Sequence, residues 1–215
     1  MSSLPPEETR LWYEDKVRRY GFDHRALGFR TRSSQDKRFE ALLQLGDFDG
    51  ARVLDVGCGF GDFRAFLQER GIDAVYTGID VCKPMIERCR ERFDNDGAIF
   101  RVADVMEFDT TDTYDYVLAS GLFGLDSEGA RDRIVPTLER MFGWAQVGVA
   151  SNFLSTRTPK PVDGRIYVDP TKALDVGLKL TPAASLNHTY LPNDFTLCLY
   201  KTPAWQLEQQ SEVAT

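Results

Sequence analysis

Short apolar runs and stretches of helical period alternate along most of this chain. Arg52-Val-Leu-Asp-Val56 reads as a buried strand; glycines follow, then a helix with Phe63, Phe66 and Leu67 on one face, closed by Gly71. Further strands are predicted at 74–79, 98–102, 114–119 and 147–153. The helix after the second strand has Pro84 in its first turn, where a missing N–H costs nothing, and aligns Met85, Ile86, Cys89 and Phe93. A helix is expected over 126–142, which Pro136 must kink or split. Asp169-Pro170 is an N-cap and N1 pair for one more helix. Upstream, residues 6–20 read as an amphipathic helix stopped by Gly21, and Ser33 with Asp36 as the capping box of a helix carrying Phe39, Leu42 and Leu43. The last two strands, 184–190 and 194–201, are joined by Leu191-Pro-Asn193, far too short for a parallel crossover. The predicted fold is therefore α/β: a doubly wound, mostly parallel seven-stranded sheet with an antiparallel C-terminal hairpin.

Composition narrows the class. A chain of 215 residues with 42% apolar content buries enough surface to need neither a metal nor disulfides. The four cysteines form no Cys-x-x-Cys pair and there are two histidines, so reduced thiols, no metal site and a cytoplasmic setting are expected. No apolar run approaches the ~18 residues of a membrane span, and residues 1–8 lack the basic and apolar regions of a secretory signal. The net charge of −7 hides an asymmetry. Between Lys16 and Arg38 there are eight Lys/Arg and two acids, so this +6 segment leaves −13 for the rest.

The chemistry concentrates after the first strand. Gly57, Gly59 and Gly61 alternate there, permitting a tight turn and close backbone approach to a ligand. Asp62 stands where a dinucleotide fingerprint needs its last glycine, and Asp55 stands two residues before the first. Two carboxylates at this loop oppose a pyrophosphate and attract a cation. Asp80 ends the second strand, where an acid accepts from both hydroxyls of a ribose. Asp104, after the third strand, can accept from an exocyclic adenine amine. Singly, Asp55 can be a helix cap and Asp104 a turn residue. Together they describe a phosphate-free ligand with a cationic amino-acid end, a ribose and an adenine, which is S-adenosylmethionine.

Val53-Leu-Asp-Val-Gly-Cys-Gly-Phe-Gly61, Thr77-Gly-Ile-Asp80, Ala103-Asp104 and Tyr114-Asp-Tyr-Val-Leu-Ala-Ser120 resemble, in order, the motifs of class I S-adenosylmethionine-dependent methyltransferases. The resemblance covers roughly residues 34–201. It implies that Asp55 and the loop of Gly57, Cys58, Gly59 and Gly61 hold the methionine part, and Asp80 the ribose. Asp104 and the Val105 amide would take the adenine, Val81 and Met85 would pack on its ring, and Ser120 would lie near the methionine end. Cys58 reads as a small residue filling tight space, since methyl transfer from sulfonium needs no covalent intermediate. Two stretches, 28–39 and 188–196, are similar to a bacterial subgroup with no definite acceptor. The expected organisation is an N-terminal helix and basic lid over 1–33, the methyltransferase domain over 34–203, and a flexible tail over 204–215.

The acceptor is less constrained. A general base matters only where the acceptor must lose a proton. His188, Tyr190 and Asp194 flank the hairpin connection at the strand ends and are the catalytic candidates, His188 first because imidazole titrates near neutral pH. Each has a plainer reading, a strand histidine tied up by a neighbour or hairpin architecture. Arg30, Arg32 and Asn152 are candidate acceptor contacts, and Arg38 a contact to the cofactor's carboxylate. The favoured reading is methyl transfer to a small anionic metabolite. An RNA or protein acceptor bound by the 16–38 segment is the rival, disfavoured by the acidic chain and the missing Asn/Asp-Pro-Pro-aromatic motif. A non-catalytic sensor or partner subunit is the third.

Overall fold

A computed structural model describes residues 7–203 and 206. Most of the tail expected over 204–215 therefore lies outside the described residues. The elements in chain order are α1 (Glu7–Tyr20), α2 (Arg32–Leu43), β1 (Arg52–Val56), α3 (Asp62–Glu69), β2 (Val75–Asp80), α4 (Lys83–Arg92) and β3 (Ile99–Val102). They continue with β4 (Tyr114–Ala119), α5 (Ile134–Trp144), β5 (Ala145–Leu154), α6 (Pro170–Leu180), β6 (Ala184–Leu191) and β7 (Asp194–Tyr200). The strands form one sheet in the order β3-β2-β1-β4-β5-β7-β6. Pairing is parallel from β3 to β5, and β7 runs antiparallel to both its neighbours.

The period of two along each strand decides the two cores. Val53, Tyr76, Tyr116 and Leu118 point to one face, where Phe39 of α2, Phe63 and Phe66 of α3 and Ile86 and Cys89 of α4 cover them. Leu54, Val117 and Val149 point to the other, against Leu138 and Met141 of α5 and Ala173 of α6. Helices thus cover both faces, and the carboxyl ends of β1, β2 and β4 are left facing the loops. No helix among the described residues is long and apolar enough to cross a membrane.

Two local expectations are corrected. The N-cap of α2 is Thr31, not Ser33: Thr31 is extended and its hydroxyl accepts from the Ser34 amide at 3.1 Å. The helix expected over 126–142 begins only at Ile134. Pro136 neither kinks nor splits it, because it sits in the first turn, where the N–H has no intrahelical partner. The Asp169 cap is as expected, accepting from Thr171 and Lys172.

Candidate active site

The loop between β1 and α3 owes its shape to glycine. Gly57, Gly59 and Gly61 all have positive φ (75°, 55° and 70°). A Cβ on Gly57 would lie 2.8 Å from Leu122, and one on Gly59 2.7 Å from Leu27, so at these two positive-φ positions any side chain is strained. Above it opens a cavity of about 1200 Å³, its mouth included. Its walls include Asp55, Gly57, Cys58, Gly59, Asp62, Asp80, Val81, Met85, Asp104, Val105 and Ser120. The residues expected at a cofactor are thereby brought together, except Gly61, the N-cap of α3, and Arg38.

The carboxylates are held in different ways. Asp80 accepts from the amides of Gly59 (3.0 Å) and Cys82 (2.8 Å), and burial raises its pKa against those bonds. Asp55 is buried and accepts from the Tyr76 hydroxyl; burial first, then the nearby charges of Asp80 and Asp62, push it to about 7. Asp62 accepts from Arg92 (2.8 Å) and from Gln35 (3.0 Å). Asp104 accepts from Arg133 at 2.6 and 2.8 Å and from the Met106 amide at 2.7 Å.

The remaining candidates lie off the cavity lining. Arg38 is buried against Asp194, with Nε donating to Oδ2 at 2.9 Å and Nη2 forming an ion pair with the same oxygen at 2.7 Å. Tyr190 donates to the other Asp194 oxygen at 2.6 Å. His188 bonds Ser155 at 2.7 Å through Nε2 and stacks on Phe195. Asn152 is reached from the cavity through one bond, accepting from Ser120 at 2.9 Å. Arg30 and Arg32 are exposed. The basic segment does approach the site, but through its apolar members. Leu27 and Phe29 line the cavity with Thr9 and Tyr13 of α1, while Arg19, Arg25 and Arg32 pair with Asp15, Asp23 and Asp36. Gln35, Phe39, Arg133 and Ile166 also line it, none of them a site candidate on the sequence. The helical face of α2 pointed to Phe39; nothing local marks Arg133, 29 positions from its partner.

A family model described as a methyltransferase domain matches residues 53–142. A Mycobacterium tuberculosis protein named for methyltransferase activity, Rv1506c, is 30% identical over 162 residues, which cover 71% of this chain and 95% of that protein. The chain belongs to the class I S-adenosylmethionine-dependent methyltransferases. Malonyl-acyl-carrier-protein O-methyltransferase of Acetivibrio thermocellus is 34% identical to this methyltransferase over 110 residues, or 49% of this chain. The match spans only 39% of that relative's length. Among solved structures, magnesium protoporphyrin IX methyltransferase from Synechocystis PCC 6803 aligns with a TM-score of 0.64 at 14% identity, covering 91% of this chain and 99% of that one. At that identity the likeness concerns the fold. The family's cofactor is S-adenosylmethionine, and the cavity suits it: four carboxylates surround the glycine loop, and Arg133, the one Lys or Arg on the lining among the described residues, is paired with Asp104. Such a site favours a cation without phosphates.

Proposed function

We propose that this protein transfers a methyl group from S-adenosylmethionine to a small acceptor, an acid with an apolar body. The observation that carries the reading is the convergence of Asp55, Asp62, Asp80 and Asp104 on the cavity above the glycine loop. The loop backbone and Asp55 would hold the amino-acid end, Asp80 the ribose hydroxyls, and Asp104 with Val81, Met85 and Val105 the adenine. S-adenosylmethionine supplies a sulfonium-bound methyl group that a nucleophilic lone pair takes by in-line displacement. The chain's own contribution is to orient and to exclude water, the larger part of such catalysis. Phe29, Leu122, Phe123, Leu125 and Ile166 make the rest of the wall apolar, which suits an acyl or aromatic body. The Acetivibrio relative is named for O-methylation of a malonyl thioester, which favours a carboxylate acceptor. A carboxylate is ionised at neutral pH and needs no base, in keeping with the position of His188, Tyr190 and Asp194 off the lining. Arg30 and Arg32 would meet only a group projecting from the mouth. Because so many cations of the basic segment are paired within the chain, a small molecule is favoured over RNA.

Titration calorimetry with S-adenosylmethionine and S-adenosylhomocysteine tests the reading first. Both are expected to bind, and failure of either with the fold intact overturns it. Incubation with methyl-labelled cofactor and a panel of fatty acids and malonyl thioesters then separates enzyme from sensor. Label is expected in an ester; binding without transfer to any acid would leave the sensor reading.

A further inference from the structure

Five side chains that the proposed chemistry leaves aside form one hydrogen-bonded chain ending at the cavity wall. It starts at Asp194, buried at the head of β7, where Arg38 from α2 donates through Nε to Oδ2 at 2.9 Å and holds Nη2 at 2.7 Å from the same oxygen as an ion pair. Burial raises the Asp194 pKa and Arg38 opposes it. The charge stays, because protonation would strand a buried guanidinium without its counter-ion.

An ionised carboxylate only accepts, and this fixes every later bond in turn. Tyr190 must donate to Asp194 Oδ1 (2.6 Å), so its oxygen can only accept. Thr196 therefore donates to Tyr190 (2.9 Å) and accepts from Asn152 Nδ2 (2.7 Å). With its amide nitrogen turned that way, Asn152 presents Oδ1 to Ser120, whose hydroxyl donates to it at 2.9 Å. Ser120 has then spent its only proton. Its oxygen lines the cavity with lone pairs alone to offer.

We infer that the Arg38–Asp194 ion pair sets the polarity of this chain so that Ser120 accepts a hydrogen bond from the ammonium of the bound cofactor's amino-acid end. Arg38, Asp194, Tyr190, Thr196 and Asn152 are positioning residues; Ser120 makes the contact. The inference rests on the cofactor reading above. Ser120 directly follows β4, which pairs with β1 beside Asp55 and the start of the glycine loop, the amino-acid end of the site on that reading. Gln35 repeats the logic from the other side. Its nitrogen donates to the Asp62 carboxylate at 3.0 Å, so its oxygen, buried and without a partner, is a second fixed acceptor on the same cavity.

The test compares two ligands that share adenine, ribose and sulfur: S-adenosylhomocysteine, which carries the amino-acid end, and 5′-methylthioadenosine, which does not. Ser120→Ala and Thr196→Val are each expected to weaken S-adenosylhomocysteine about tenfold, the effect of losing a hydrogen bond to a charged group, and to leave 5′-methylthioadenosine unchanged. The double variant should bind no more weakly than Ser120→Ala, since Thr196 acts through Ser120. Thr196→Ser keeps the hydroxyl and should restore affinity. Tyr190→Phe breaks the same chain at another link and serves if Thr196→Val does not fold. Equal weakening of both ligands, additive losses in the double variant, or unchanged S-adenosylhomocysteine affinity would overturn the inference. Wild-type protein that binds neither ligand would instead overturn the cofactor reading.

Discussion

Asp80→Ala is expected to weaken S-adenosylmethionine and S-adenosylhomocysteine about a hundredfold. On the proposed reading the carboxylate at the end of β2 accepts from two ribose hydroxyls. Hydrogen bonds to a charged acceptor are worth about 1.5–3 kcal/mol each, so at the lower end losing both costs roughly 3 kcal/mol, or two decades in affinity. Asp80 also accepts from the Gly59 and Cys82 amides, so the substitution loosens the loop as well as emptying the ribose contact. Asp80→Asn separates the two effects: it keeps one acceptor for the backbone and loses the charge, and should fall between wild type and alanine. Calorimetry gives the affinities, and the melting temperature of the ligand-free variants reports the fold. Unchanged affinity in a folded Asp80→Ala protein would remove Asp80 from the ribose site.

Asp80 was legible in the sequence for the same reason that most of the fold was. A strand, a turn and the residue that ends it are local, and their signals lie within a few positions of each other. The glycine loop, the sheet with its hairpin and the carboxylates around the cavity follow from such signals. What stayed illegible depends on distance along the chain. Arg38 and Asp194 are 156 positions apart, and neither residue's neighbours mark it for burial. The sequence offers Arg38 as a contact to the cofactor's carboxylate, yet it is buried on Asp194 while Arg30 and Arg32 stay exposed. The titration range of imidazole makes His188 the first base candidate, but a position on an edge strand beside Ser155 and Phe195 gives it no opening onto the cavity. Of the N-terminal segment, the sequence shows the charges and not the surface that reaches the cavity. Its charges lie outside the lining, whereas Tyr13, Leu27 and Phe29 are part of it.

The affinity for S-adenosylhomocysteine should fall steeply as the pH drops below about 7, and Asp55 is the group responsible. Its folded-state pKa of about 7 exceeds the ordinary carboxyl value of 3.8 chiefly because it is buried, with Asp80 and Asp62 adding repulsion. A bound ammonium favours the ionised form, so the ligand-bound pKa lies below that of the free protein. Between those two values the bound state carries fewer protons, and each unit of falling pH weakens binding by up to about tenfold. From pH 8 to pH 5 the loss should approach a hundredfold. Stability of the ligand-free protein moves the other way. A carboxyl whose pKa is raised by folding favours the native state at low pH, and that contribution is lost as pH rises from about 4 through about 7. The melting temperature gained on ligand binding should therefore grow over the same window. Asp55→Asn cannot ionise, so it should bind more weakly at pH 8 and lose this part of the pH dependence. Calorimetry in two buffers of different ionisation enthalpy counts the proton released near pH 6, about one in wild type and markedly less in the variant. A wild-type affinity that stays level from pH 8 to pH 5 would mean that Asp55 does not face the ammonium, and the amino-acid end would have to be placed elsewhere on the loop.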